Sequence, residues 1–385
     1  MKGLLQLGLL LLVTTKAWAA NESAVTGKFA PPDSKTYLII GQTFQKEFQD
    51  YVSAFDQAPA GSSHYGEIYT GNFNQGDDGH QQAFLTYMGK NYPEAVVEVA
   101  LSIKDNPAAG GYGALETKPN GIHQALTDIT QGKWDAKIDQ FAKTFKSFPH
   151  IRFLVRIDYE VSMGMHANQS SQPWSKILEQ YSARGVNLLE SPELAKEIDV
   201  AAYKNAFNYI AKRIRQTAAV QNVAFVYHPV RGFGDCRNLY PGDEFVDWIG
   251  FSVFNHDVCM DCREANGSIS HNGTGVLDPN LKQCLEWAST KKPLMICESG
   301  FQTPATGQNT ESFKTYLSRV FGLINQYNIK AWVYINSDWQ AHHWTLPWGD
   351  SRLETNPEIK GYWMHQLRDP RFIQYPGKTF TDGTR

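Results

Sequence analysis

"HIRFLVRIDYE", residues 150–160, decides the fold. Its first eight residues, 150–157, are rich in β-branched and aromatic side chains and read as a buried strand. Just before them, WDAKIDQFAKTFKSF (134–148) carries apolar residues at three-to-four spacing, the signature of an amphipathic helix. Downstream, a second such pattern, AYKNAFNYIAKRIRQ (202–216), leads into VAFVY (223–227), and a third occupies 311–327. Alternation of this kind implies an α/β fold with parallel strands. Candidate strands lie at 36–40, 65–69, 95–101, 150–157, 223–227, 246–252, 293–297 and 330–335. Eight strand–helix units predict a closed (β/α)8 TIM barrel, a fold of about 250 residues before insertions. The alternative is an open doubly wound sheet, which calls for a Gly-rich phosphate turn after its first strand. Ile40-Gly41-Gln42-Thr43-Phe44 is not such a turn. The extra length falls at 161–200 and 231–285, read as loop insertions, so 26–385 is expected to form a single domain.

The bulk properties narrow the function. The 385 residues are 42% hydrophobic, with a formal net charge of −3, which lacks the basic excess of a nucleic-acid binder. Ten Trp, eighteen Tyr and twenty-one Phe supply flat faces on which sugar rings stack, although core packing is their commoner fate. Residues 1–19 combine Lys2, a Leu-rich run and Ala17-Trp18-Ala19, the pattern of a cleaved signal peptide. The run is too short for a membrane anchor. A secreted protein is expected, periplasmic in a Gram-negative host. In that setting Cys236, Cys259, Cys262 and Cys284 predict two disulfides of open connectivity, and Cys297 a buried free thiol. Zinc or redox chemistry at Cys259 and Cys262 is the rival reading, but no second CxxC pair or His cluster supports it. No metal or cofactor is called for.

Two strands end in carboxylates. Alternation from Arg156 puts Asp158 and Glu160 on the same side of the fourth strand. The seventh, in KPLMICESGFQ (292–302), ends at Glu298. In a parallel barrel the C-terminal strand ends form the active face, so the two glutamates converge over its centre. Paired carboxylates roughly 5 Å apart suit retaining glycoside hydrolysis, and about 6.5 to 9.5 Å suits inversion. A structural Arg156–Asp158 ion pair with an exposed Glu160 is the bland alternative.

The chain here resembles the clan A retaining glycoside hydrolases, most closely family 26, as a diverged member. The resemblance rests on Glu at the ends of strands four and seven, on Arg156 four residues before Glu160, and on Tyr240-Pro-Gly-Asp-Glu-Phe-Val-Asp-Trp-Ile-Gly250. It implies Glu160 as acid/base and Glu298 as nucleophile. Tyr159 stands where family members usually carry His. Arg156, Asp158, Tyr159, His228, Phe254, His256, Trp339, His343 and Trp344 are the candidate substrate-binding residues, with Trp339 the expected floor for a sugar ring. The reaction expected is cleavage of a β-linked polysaccharide or oligosaccharide by a monomer without nucleic-acid partners. A non-catalytic carbohydrate-binding barrel is the alternative. For the acid to work, burial should raise the pKa of Glu160 while donors keep Glu298 ionised.

Overall fold

The computed structural model describes residues 25, 27–41, 44–73, 81–103, 121–161, 192–229, 236–255, 277–301, 310–339, 341 and 349–375, with side chains from Gln124 in the third helix and from Val200 in the fifth. Eight strands pair in parallel: β1 (Thr36–Gly41), β2 (Gly61–Glu67), β4 (Val96–Ser102), β5 (Arg152–Ile157), β6 (Val223–Tyr227), β7 (Trp248–Phe254), β8 (Leu294–Gly300) and β9 (Ala331–Ile335). β9 returns to β1, and β1 meets β2 through Ile39–Gly61 and Ile40–Ser62, which closes the barrel. Two short strands flank it: β3 (Asn72–Phe73), antiparallel to β2, and β10 (Phe372–Ile373), parallel to the start of β1. The (β/α)8 expectation therefore holds.

Period-two alternation sorts the strand side chains. Ile39, Val96, Leu154, Ala224, Val226, Trp248, Met295, Cys297 and Val333 fill the barrel interior, joined by Phe29 and Ala30 from the N-terminal segment. Their neighbours, such as Val97, Phe153, Val155, Phe225 and Ile296, face the helices. Helix Asp135–Ser147 answers with Ile138, Phe141, Ala142 and Phe145, one stripe at helical spacing. Helix Thr310–Gln326 does the same with Phe313, Tyr316, Leu317, Val320 and Ile324. Two further helices begin where an N-cap meets proline: the Asp278 carboxylate accepts from the Asn280 and Leu281 amides, and Asn356 caps Pro357–Gln366 in the same way.

One strand is displaced from its expected place. β2 runs over GSSHYGE rather than 65–69, because the pairing with β4 starts in a segment with little intrinsic β-propensity. Close approach explains the composition: a Cβ at Gly61 would overlap the Val96 carbonyl.

Cys236 is bonded to Cys284, with Cα atoms 6.0 Å apart, and Cys297 is a buried free cysteine, as expected. Cys259 and Cys262, and with them the second expected disulfide, lie outside the described residues, as do the signal peptide, most of the 161–200 insertion and residues 231–235 and 256–276 of the second. The Cys236–Cys284 bridge ties the segment after β6 to the helix Pro279–Ala288 across 48 residues. A loop of that length implies a stabilisation of about 2–4 kcal/mol. The Cys236→Ala/Cys284→Ala variant should show that loss in its denaturant midpoint, and an unchanged midpoint would contradict it.

Candidate active site

Arg156 follows Leu154 at the next inward position of β5 and is fully buried. A guanidinium there requires charged partners, since desolvation of an unpaired charge is prohibitive. It has two. Its Nε pairs with Glu98 on β4, and its Nη1 lies 2.5 Å from Glu298 Oε1 on β8. Glu98 accepts a second hydrogen bond from the Ser63 hydroxyl of β2. Burial would lower the pKa of Arg156, but Glu98 and Glu298 outweigh it and hold the group charged.

Glu298 reaches the interior through an irregularity. The β7–β8 register runs Phe251–Ile296 and then Ser252–Glu298, skipping Cys297. Cys297 already points inward, so strict alternation would turn Glu298 toward the helices. The bulge re-aims it into the barrel. Gly250, on the neighbouring strand, makes room: a Cβ there would overlap the Cys297 sulfur. Tyr65 donates to Glu298 Oε1 at 3.1 Å and accepts from Arg156 Nη2 at 3.3 Å, so both donors to Glu298 converge on one oxygen. Burial, then the Glu298 charge, push the Tyr65 phenol well above its ordinary pKa, so it remains a donor.

Glu160 lies past the end of β5, where alternation has ceased. Asp158 and Glu160 both adopt left-handed backbone, each at φ 52°. The Asp158 carboxylate turns back to accept from the Ile103 amide at 3.3 Å, while Arg156 faces Glu98 and Glu298, so the expected shared face of Arg156, Asp158 and Glu160 is not observed. The Val161 amide donates to the His228 carbonyl, which docks this turn on the segment after β6. Glu160 is partly exposed, and its Oε1 accepts from Ser252 Oγ at 2.5 Å. Ser252 is also the register partner of Glu298, so one residue of β7 adjoins both glutamates.

His228 completes the link, with Nδ1 3.1 Å from Arg156 Nη1 and Nε2 3.1 Å from Ser252 Oγ. Tyr65 and Tyr159 flank Arg156, their ring centroids 5.5 and 5.0 Å from the guanidinium carbon. Phe254 packs with Ile335 and Trp339, and the Trp339 indole donates to Ser351 Oγ at 2.8 Å; Trp339 is 4% exposed. His256, His343 and Trp344 lie outside the described residues. Tyr65, Glu98 and Ser252 were not singled out from the sequence. Glu98 carried a signal, a lone charge in the apolar run AVVEVAL. Ser252 and Tyr65 carried none. Among the described residues, no group of three or more His, Cys, Asp or Glu is gathered as metal ligands.

Electrostatics departs from expectation at Glu298. Burial, with a contribution from Glu160, pushes its carboxyl up to about 7, against the opposing pull of Arg156. The buried carboxyl is therefore only partly ionised near neutrality, where the sequence reading expected a carboxylate held fully charged.

The (β/α)8 barrel carries glutamates past the end of its fourth barrel strand, β5, and in its seventh, β8, and comparison with known proteins supports a glycoside hydrolase. The chain is similar to proteins of glycoside hydrolase family 26. The Glycosyl hydrolase family 26 model matches residues 195–273. A β-1,3-xylanase of a Vibrio species is 26% identical over 96% of this chain and 72% of its own length. A second β-1,3-xylanase, from an Alcaligenes species, is 25% identical over 96% of this chain and 71% of its own. Among solved structures, a family 26 β-mannanase from Bacteroides ovatus superposes with a TM-score of 0.58 at 14% identity, covering 91% of this chain and 94% of the other. The Bacillus subtilis mannanase man26 gives 0.54 at 15% identity, covering 92% and 91%. At such identities the structural likeness concerns the fold.

Proposed function

We propose that the chain is a secreted, retaining hydrolase of β-1,3-xylan. The observation that carries the mechanism is the hydrogen-bonded connection of Glu160 and Glu298 through Ser252, His228 and Arg156. The choice of polymer follows the two relatives that align over 96% of the chain.

In the first step the free oxygen of Glu298, Oε2, attacks the anomeric carbon. The glycosidic carbon–oxygen bond breaks, and the departing oxygen takes a proton from Glu160. In the second, the Glu160 carboxylate takes a proton from water, whose oxygen attacks the same carbon. The ester bond breaks and Glu298 leaves as a carboxylate. Tyr65 and Arg156, both on Oε1, leave Oε2 for attack and stabilise the charge that returns.

The test is digestion of β-1,3-xylan and β-mannan, with mass analysis of products and NMR of the first anomer released. Xylo-oligosaccharides appearing first as the β-anomer are expected. Manno-oligosaccharides alone would overturn the substrate, the arm that the mannanase neighbours motivate. An α-anomer first would overturn retention. Export rests on residues 1–19 and is checked by N-terminal sequencing of protein recovered from the medium.

The pH profile follows from Glu298. Only the ionised carboxylate attacks, and its folded pKa is about 7, so kcat/KM should rise with pH through about 7. An acid limb centred below about pH 5.5 would contradict that burial-driven shift, which exceeds the ordinary scatter of about one unit for glutamates.

A further inference from the structure

We infer that His228 and Ser252 are positioning residues that transmit the orientation of Arg156 to Glu160, so that a single guanidinium fixes which oxygen of each catalytic glutamate reacts. This rests on the acid/base assignment of Glu160 above.

The argument is one of donors and acceptors. Arg156 cannot accept a hydrogen bond, so His228 Nδ1, 3.1 Å from Nη1, must accept. A neutral imidazole with Nδ1 accepting carries its proton on Nε2. Nε2–H then donates to one lone pair of Ser252 Oγ at 3.1 Å, which leaves the Ser252 hydroxyl proton for Glu160 Oε1 at 2.5 Å. The Arg156–His228–Ser252 links therefore run in one direction, and the Ser252 hydroxyl proton continues it to the carboxylate. The Arg156–His228 end of the chain is sealed from water, both residues being fully buried.

The consequence falls on Glu160. With Oε1 accepting from Ser252, the transferable proton resides on Oε2, the oxygen left to meet the glycosidic oxygen. The same arginine directs Glu298 through Oε1. Both reacting atoms are thus the Oε2 oxygens, selected by one buried charge. Ser252 suits the task by location, being the register partner of Glu298 while bonded to Glu160.

The experiment compares Ser252→Ala, Ser252→Thr and Glu160→Ala in the full chain. Two substrates are used, β-1,3-xylan and 2,4-dinitrophenyl β-1,3-xylobioside, replaced by the corresponding mannan pair if the digestion above releases mannose. The dinitrophenolate leaves without protonation, so its departure does not need a correctly placed acid. For Ser252→Ala, kcat on the polysaccharide should fall roughly 10- to 100-fold, within the range general acid catalysis supplies. The pre-steady-state burst of dinitrophenolate should keep its rate to within about threefold. Loss of a donor to the carboxylate should also move the alkaline limb on the polysaccharide to higher pH. Ser252→Thr, which keeps the hydroxyl, should recover most of the polysaccharide activity.

Equal losses on both substrates, an unmoved alkaline limb and no recovery with threonine would overturn the inference. Glu160→Ala separates this failure from that of the acid/base assignment. If it loses polysaccharide turnover but keeps the dinitrophenolate burst, that assignment survives whatever Ser252→Ala does. If it hydrolyses the polysaccharide normally, the assignment and the inference both fall.

Discussion

Glu298→Ala should lose essentially all turnover of the natural polysaccharide, a fall on the order of 10⁴-fold or more, the scale seen when a covalent nucleophile is deleted. Folding should survive. Glu298 is buried at an energetic cost, as its raised pKa records, and its removal leaves Arg156 still paired with Glu98. Thermal melting should therefore change by only a few degrees. Added azide supplies the missing nucleophile in the vacated space. With the dinitrophenyl xylobioside it should give the α-glycosyl azide, the product of a single inversion. A Glu298→Ala protein that still digests the polymer at an appreciable fraction of the normal rate would remove Glu298 from the reaction.

Replacing Arg156 should have the larger effect on the fold. Arg156→Leu deletes the shared partner of two carboxylates, one fully buried and the other nearly so. Breaking a buried ion pair from one side costs about 3–5 kcal/mol. The pH dependence distinguishes this from simple loss of packing. Burial already raises the pKa of Glu98 and Glu298, with Arg156 opposing in both. Without the arginine, both folded pKa values rise further above their unfolded values. A carboxyl raised on folding binds protons better in the native state, so its cost appears as pH climbs past the unfolded pKa. The deficit of Arg156→Leu relative to the parent should therefore be greater at pH 8 than at pH 5. A deficit independent of pH would point to packing alone.

The barrel was legible because its signals are local and periodic. β6 appears at 223–227 as read, and the helices at Asp135–Ser147 and Thr310–Gln326 follow their apolar stripes. β2 was misplaced because GSSH owes its strand conformation to neighbours rather than to propensity. Glu160 and Glu298 were found from their positions after apolar runs, yet the backbone that presents them was hidden. Alternation carries no notice of the skipped residue at Cys297 or of left-handed residues at 158 and 160. Tyr65, Glu98 and Ser252 join the site through contacts spanning 35 to 233 positions, which no window of sequence contains. The pKa of Glu298 depends on depth of burial, which the order of residues does not state.

The left-handed turn after β5 also bears on how such a protein can diversify. At 158 and 160 the main chain disfavours valine, isoleucine and threonine whatever chemistry they would bring, because branching at Cβ collides with the backbone there. Tyr159, between them, carries no such restriction and contacts Tyr65 edge-on. Main-chain geometry thus constrains the two outer positions more tightly than the middle one, whose ring packs on Arg156 and Tyr65 from an unstrained backbone.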